Sequence, residues 1–380
     1  MLERNVTGTP LRVLVLDTVM DRGGAETMSM NYLRHFDRSK VIYDFLVNRE
    51  YRAAYEDEIE SLGGRVYRMC PMYPKCFNQY KREFRQFLIE HPEYRVIHSN
   101  LEERSYFPLR IAKEMGIPVR IAHAHNEYKG FDAKTLVRQY FRSRLSPYYT
   151  HGFACSAEAA KWLFGSKAME SGRVQIVQNA IDSTTYRFNG DERLRIRKEL
   201  DVEESFVMGN VGRFFPQKNH SFLLDVFSSV LQKVSNAKLL LVGAGDLEGE
   251  IKNKAINLGI LDKVVFTGSV PNVWDYLQAM DLFVFPSIHE GLGMSLIEAQ
   301  AVGLPCIASD AVPEEANISG QVTYLSLDDG AEAWATECEK FVSCPRFESD
   351  GLLQKTHFDV QKEAVKLQNF YLDQLKKNDM

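Results

Sequence analysis

Ile288-His289-Glu290-Gly291-Leu292-Gly293-Met294-Ser295-Leu296-Ile297-Glu298-Ala299 is the stretch around which the rest of the chain is arranged. It follows an apolar run of strand composition, Asp281-Leu282-Phe283-Val284-Phe285-Pro286-Ser287, breaks at two glycines, and resumes as a helix-like segment over residues 294–302. Glu290 therefore stands at the C-terminal lip of a strand, where open α/β sheets bind ligands, and Glu298 falls a little over one turn inside the following helix. Both can face one crevice. Gly291 and Gly293, flanking Leu292, let the backbone come close to a ligand, and the N–H groups of Met294 and Ser295 form an anion site favoured by the helix dipole. A carboxylate deeper in the helix is then left to accept hydrogen bonds from sugar hydroxyls, as acidic residues do for ribose in dinucleotide sites. The bland alternative is a pair of solvated helix charges.

The order strand, Glu-Gly-x-Gly-x-x-x-x-Glu, Ala-x-Ala-x-Gly-x-Pro, running from Glu290 to Pro305, resembles the signature of family 4 glycosyltransferases of the GT-B fold. The resemblance extends over nearly the whole chain. It implies an α/β protein of two Rossmann-like doubly wound domains facing an interdomain cleft, with a nucleotide sugar held mainly by the second domain.

The bulk numbers fit that frame. A chain of 380 residues suits two domains of ordinary size, and 45% hydrophobic with 26% charged residues is ordinary globular composition. No apolar run approaches the length that spans a bilayer, and Met1-Leu2-Glu3-Arg4-Asn5-Val6-Thr7-Gly8 lacks a basic start with a long apolar core, so a cytoplasmic protein is expected. The six cysteines, at 70, 76, 155, 306, 338 and 344, include no C-x-x-C pair, and neither a zinc site nor disulfides are expected. The net charge of −5 is unevenly spread: residues 1–185 hold 27 Lys+Arg against 22 Asp+Glu, whereas residues 186–380 hold 19 against 29. The basic half suits an anionic lipid or a phosphate-bearing acceptor, or simply has an uneven solvated surface. No nucleic-acid partner is expected.

Along the chain, residues 12–16 read as a parallel strand covered on both faces, followed by Gly23-Gly24-Ala25-Glu26 and a helix-like segment. By resemblance this glycine loop lies near the donor diphosphate and the acceptor; by itself it is a tight turn. Further apolar runs at 43–47, 65–69, 95–98, 119–123, 152–155 and 174–177 alternate with helix-length intervals, the rhythm of a doubly wound domain. Two of these strands end in histidine, at His98 and at His123-Ala124-His125, and alternation puts His123 and His125 on one side. Such a pair is ordinarily structural or an incomplete metal site. The resemblance implies a histidine facing the transferred sugar here, with His125, nearer the lip, the first choice and His123 the second.

Lys134, Arg138 and Arg142 make one helical stripe and Val137, Tyr140, Phe141 and Leu145 another, a pattern that suits an anionic membrane surface or ordinary core packing. The run Tyr80-Lys81-Arg82-Glu83-Phe84-Arg85-Gln86-Phe87 has the same two readings. Asn179-Ala180-Ile181-Asp182 resembles the family's last element before the domain boundary, with Ala180 where a glycine is usual. The boundaries are placed at 1–185 for an acceptor-side domain, 186–354 for a nucleotide-sugar domain and 355–380 for a helix returning to the first domain.

In the second half, Gly212-Arg213 and Lys218 lie at a strand-to-helix loop, where an arginine and a lysine can converge on one diphosphate. The resemblance gives this pair the departing nucleoside diphosphate, and gives the backbone at Gly268 and Val270 the nucleobase. Gly243-Ala244-Gly245 through Gly249 is spaced G-x-G-x-x-x-G without an acidic ribose ligand, so no nicotinamide cofactor is expected. The sequence contains no Asp-x-Asp, and no metal is expected. The reading is thus a retaining, metal-independent hexosyltransferase. It moves a hexose or N-acetylhexosamine, UDP-linked by analogy, to a glycan or polyprenyl-diphosphate-linked acceptor in capsular or exopolysaccharide synthesis, with a peripheral contact at the inner membrane face. A sugar-nucleotide epimerase of the same fold and a non-catalytic nucleotide-sugar-binding subunit are the alternatives.

Overall fold

The structure is a computed structural model that describes residues 8–126 and 135–379. Lys134, the first residue of the basic stripe above, lies outside the described residues, as do residues 1–7. The chain divides into two compact units, one ending at Ile181 and recovering the C-terminal residues from His357, the other Asp182–Thr356.

The first unit is built on seven strands: β1 (Leu11–Asp17), β2 (Val41–Val47), β3 (Val66–Arg68), β4 (Val96–Ser99), β5 (Val119–Ala124), β6 (His151–Ala154) and β7 (Val174–Ile176). All pair in parallel, in the order β3-β2-β1-β4-β5-β6-β7. The uninterrupted apolar runs follow from this: Val13 and Val15 enter the core on one side of the sheet while Leu14 and Leu16 enter the core on the other. Each such buried side chain contributes about 1.5–3 kcal/mol. Asp44, a fully buried carboxylate in β2, is held by Arg12 on β1, by the Tyr94 hydroxyl at 2.6 Å and by the Arg65 N–H at 2.7 Å.

The C-terminal helix Val360–Asp379 belongs to this unit; Val360, Ala364, Leu367 and Tyr371 form its buried stripe, and the Tyr371 hydroxyl meets that of Tyr43 at 2.7 Å. The helix Phe77–Glu90 buries Tyr80, Phe84 and Leu88, so its aromatic spacing is core packing. The helix Thr135–Leu145 departs from the expected faces. Phe141 and Leu145 turn inward, Phe141 against Phe77, Tyr106 and Phe107, but Leu136, Val137 and Tyr140 are exposed and the Arg144 guanidinium lies over the Tyr140 ring. The core reaches only the side of the helix that carries Phe141, and Val137 and Tyr140 lie beyond it.

The second unit repeats the plan with β8 (Phe206–Val211), β9 (Ala237–Val242), β10 (Val264–Gly268), β11 (Leu282–Phe285), β12 (Cys306–Ser309) and β13 (Val322–Leu325), again all parallel, in the order β10-β9-β8-β11-β12-β13. The glycines after β9 are structural. Gly243 has φ +143°, and a Cβ there would sit 2.1 Å from the Gly212 carbonyl oxygen; one on Gly245 would sit 2.5 Å from that of Phe214. The turns after β8 and β9 thus touch backbone to backbone. Arg346, half-buried, donates to the carbonyls of Val302, Leu277, Gln278 and Met280, and desolvation lowers its pKa to about 9.

Gly243→Ala is expected to destabilise the second unit by at least about 2 kcal/mol, because a carbonyl oxygen cannot be moved aside as a side chain can. Gly249→Ala, in a helix and facing open space, should be neutral or stabilising by about 0.5–1 kcal/mol. Urea unfolding of both variants checks this, and equal midpoints would refute it.

Candidate functional site

In each unit the strand order reverses between the first strand and a later neighbour, and ligands bind outside the carboxyl ends of the strands at such a point. In the second unit the reversal lies between β8 and β11. The loop after β8 carries Gly212, Arg213 and Lys218; the loop after β11 carries Glu290 and the two glycines. Gly293 takes φ +90° as N-cap of the helix Met294–Ala301, so the N–H groups of Met294 and Ser295 open that helix.

Lys218 Nζ meets Glu290 Oε1 at 2.6 Å and lies 4.7 Å from the Phe285 ring centroid. Both side chains are largely buried, 19% and 7% exposed, so this is an ion pair shielded from water. Gln217 completes it, donating through Nε2 to Glu290 Oε2 at 3.2 Å and to the His289 carbonyl at 2.9 Å. The Lys218 chain runs close over Gly212, within 3.2 Å of where a Cβ would stand. Arg213 does not join Lys218. It is exposed, stacked on Phe215, and 3.8 Å from the Asp246 carboxylate. The expected convergence of the two cations on one point is therefore not present here; each is held by a different carboxylate.

Glu298 projects from the first turns of its helix and receives the Tyr186 hydroxyl at 3.0 Å. Burial raises its pKa to about 7, against the lowering effects of that bond and of the Lys218 charge. Tyr186 was not singled out from sequence, since a tyrosine in an irregular segment carries no periodic or motif signal. Gly268, with φ +70°, ends β10, and its carbonyl accepts from Gly243 N at 3.0 Å; Val270 beyond it is half-buried. Leu292 is buried while Gly291 is exposed.

In the first unit the reversal lies between β1 and β4. Here stand Asp17 at the end of β1, Asn100 after β4 and His125 after β5. Gly23 is the N-cap of the helix Gly24–His35, and the Glu26 carboxylate occupies the space where a Gly23 Cβ would be, 2.2 Å from that position. The two histidines part company. His123 is buried and bonds through Nδ1 to His98 Nε2 at 2.9 Å, and His98 Nδ1 meets the Tyr371 hydroxyl at 2.6 Å. His125, its ring centroid 4.0 Å from that of His123, bonds through Nε2 to Asn100 Oδ1 at 3.0 Å. Burial pushes the His125 pKa down to about 3, so the ring is neutral at ordinary pH.

Glu102, also not foreseen, has φ +52° and takes the N–H groups of His125 and Asn126 on Oε1, at 2.8 and 3.1 Å. Burial lifts its pKa to about 8. Among the described residues no three His, Cys, Asp or Glu side chains converge as metal ligands, and no helix is long and apolar enough to cross a membrane.

Two parallel-sheet Rossmann-like units, each with polar side chains gathered at its switch point, define the GT-B class of glycosyltransferases. Comparison with known proteins agrees. Residues 22–185 match the model described as Glycosyltransferase Family 4, and residues 192–353 that described as Glycosyl transferases group 1. EpsF of Bacillus subtilis, provisionally named a glycosyltransferase, is 35% identical over 95% of this chain and 96% of its own. The capsular polysaccharide biosynthesis glycosyltransferase CapH of Staphylococcus aureus is 24% identical over 95% of this chain and 99% of its own. A UDP-Gal:α-D-GlcNAc-diphosphoundecaprenol α-1,3-galactosyltransferase of Escherichia coli is 22% identical over 75% and 77%. The crystal structure of Anabaena HepE in complex with UDP superposes with a TM-score of 0.76 at 17% identity, covering 95% of this chain and all of that one. The chain belongs to glycosyltransferase family 4.

The Glu298 shift has a thermodynamic consequence. The folded carboxyl keeps its proton to a higher pH than the unfolded one, so the contribution of Glu298 to stability is fully present below about 4.5 and declines as pH rises toward about 7. Glu298→Gln removes this decline. At pH 8 the apo variant should gain up to roughly 2–3 kcal/mol relative to its difference from wild type at pH 4.5, an upper bound because Glu298 as a residue is only half-buried. Parallel pH profiles from chemical denaturation would refute the assignment.

Proposed function

We propose that this chain is a retaining glycosyltransferase that moves a hexose or N-acetylhexosamine from a UDP-linked donor, without a metal, to a glycan or polyprenyl-diphosphate-linked acceptor in capsular or exopolysaccharide synthesis. The observation that carries the donor side is the grouping, at one switch point, of Glu298 bound by Tyr186, the open N-terminus of its helix, and the buried Lys218–Glu290 pair. Glu298 accepts hydrogen bonds from the ribose hydroxyls, with Tyr186 as the stand-in before ligand arrives. The diphosphate lies on the N–H groups of Met294 and Ser295, with the nucleobase against the backbone at Gly268 and Val270. UDP is favoured by the UDP complex of HepE and the UDP-galactose named for the Escherichia coli relative. That relative's name also supports a polyprenyl-diphosphate acceptor, and the name of CapH a capsular product.

In the reaction the bond from the anomeric carbon to the diphosphate oxygen breaks, and the acceptor oxygen bonds to that carbon on the same face. The acceptor proton leaves with the diphosphate. Lys218 exchanges its Glu290 partner for the departing phosphate, where negative charge develops, and Arg213, free to swing from Asp246, joins it. Glu290 then orients the sugar hydroxyls and supports the oxocarbenium-like centre. In the first unit, His125 accepts a hydrogen bond from a sugar hydroxyl. The protein works in the cytoplasm against the inner membrane face, where exposed Leu136, Val137 and Tyr140, flanked by Arg144, meet anionic lipid.

UDP at about a hundred times its dissociation constant should stabilise the protein by about 2.7 kcal/mol in thermal-shift assays. The shift should survive EDTA, exceed that of GDP, and vanish in Glu298→Ala; no shift with any nucleotide would end the donor-site reading. Lys218→Met should lower kcat by about 10²–10³-fold with a donor that binds normally. The double variant Leu136→Glu, Tyr140→Glu should lose co-sedimentation with phosphatidylglycerol vesicles while keeping transfer to a soluble acceptor analogue. Unchanged sedimentation would rule out that helix as the contact.

A further inference from the structure

The polar chain at the switch point of the first unit carries more than the placement of a histidine. Asn100 Nδ2 donates to Asp17 Oδ2 at 2.8 Å and to Ser29 Oγ at 3.2 Å. With its amide nitrogen turned toward the buried Asp17 carboxyl, Asn100 must present its oxygen on the other side, and that oxygen is the atom 3.0 Å from His125 Nε2. An amide oxygen can only accept, so His125 Nε2 carries the proton. The ring is neutral, which leaves Nδ1 with a bare lone pair, and among the described residues the buried Nδ1 has no partner. A buried acceptor with no donor is rare in a folded protein unless a ligand supplies one.

The backbone is held to match. Glu102 Oε1 takes the N–H groups of both His125 and Asn126, and Glu102 itself stands in the left-handed region at φ +52°, a conformation that persists only when its surroundings impose it. The His125 ring is thus fixed in position by one carboxyl and in tautomer by another, acting through an amide.

We propose that Asn100, oriented by Asp17 and Ser29, is a positioning residue that locks His125 as its Nε2-protonated tautomer and so presents Nδ1 as the hydrogen-bond acceptor for a substrate sugar hydroxyl. This rests on the reading of His125 as the histidine that meets the sugar. The division of labour follows the general rule that the hydrogen bond on one imidazole nitrogen sets what the other can do.

Tautomers are read directly from two-bond 1H–15N correlations of the full-length protein labelled with 15N-histidine, His125 being assigned by its absence in His125→Gln. Wild type should show a single tautomer protonated at Nε2. Asn100→Asp, which still offers an oxygen, should keep it; Asn100→Leu should show a mixture or the Nδ1-protonated form. A wild-type His125 protonated at Nδ1 overturns the proposal, and this needs no variant to fold. So does an Asn100→Leu protein, folded by its melting curve, whose His125 stays singly protonated at Nε2. In turnover, Asn100→Leu should lower kcat about tenfold at unchanged donor KM, and an unchanged kcat would sever the tautomer from the chemistry. Wild-type turnover by His125→Ala would take down the parent reading, and the spectroscopic result, which involves no substrate, would separate the two failures.

Discussion

A parallel strand buried on both faces has few places for a polar side chain, and the C-terminal edge of its sheet is the chief one. That constraint shapes both units. Their strands are apolar nearly throughout, and the polar residues gather where β1 and β4, or β8 and β11, leave the sheet in opposite directions. Asp44 in β2 is one costly exception, beside His98 in β4 and His123 in β5, and it is tolerated because Arg12, Tyr94 and the Arg65 N–H surround it.

The edge groups of the two units differ in electrostatic character, and the difference follows from their partners. In the second unit Lys218 and Glu290 neutralise one another in a shielded pair, so the site holds opposite charges within one cluster. In the first unit the carboxyls have few cations. Asp17 is pushed well above the ordinary carboxyl range by burial and by the charge of Glu26, and Glu102 is raised by burial. Neutral imidazoles and protonatable carboxyls suit the recognition of hydroxyl groups, whereas a fixed cation suits a phosphate. The two chemistries are thus laid out on two copies of one architecture.

Close backbone approach is the second recurring device. Gly243 and Gly245 bring the turn after β9 onto the turn after β8, which is the turn that carries Arg213 and leads to Lys218. Gly23 leaves room for the Glu26 carboxylate at the start of its helix. Neither role resembles the phosphate-cradling one usually associated with glycine loops, and both act by excluding a Cβ.

The sequence by itself determined the class of fold, because alternating apolar runs and helix-length intervals leave a doubly wound arrangement as the economical way to bury strands on both faces. It also determined the glutamate pair, since Glu290, the glycines and Glu298 are bound to one another by local geometry across a single strand-to-helix turn. Only the tertiary structure decided the rest. Whether Arg213 meets Lys218 depends on Asp246 and Glu290, which come from other loops. Which histidine is committed to the core depends on His98 and on Tyr371, 273 residues from it in the chain. Tyr186, Asn100 and Glu102 have no periodic or motif signal because their partners are brought by strand order, and strand order in a parallel sheet is set by crossover connections rather than by any neighbouring residues.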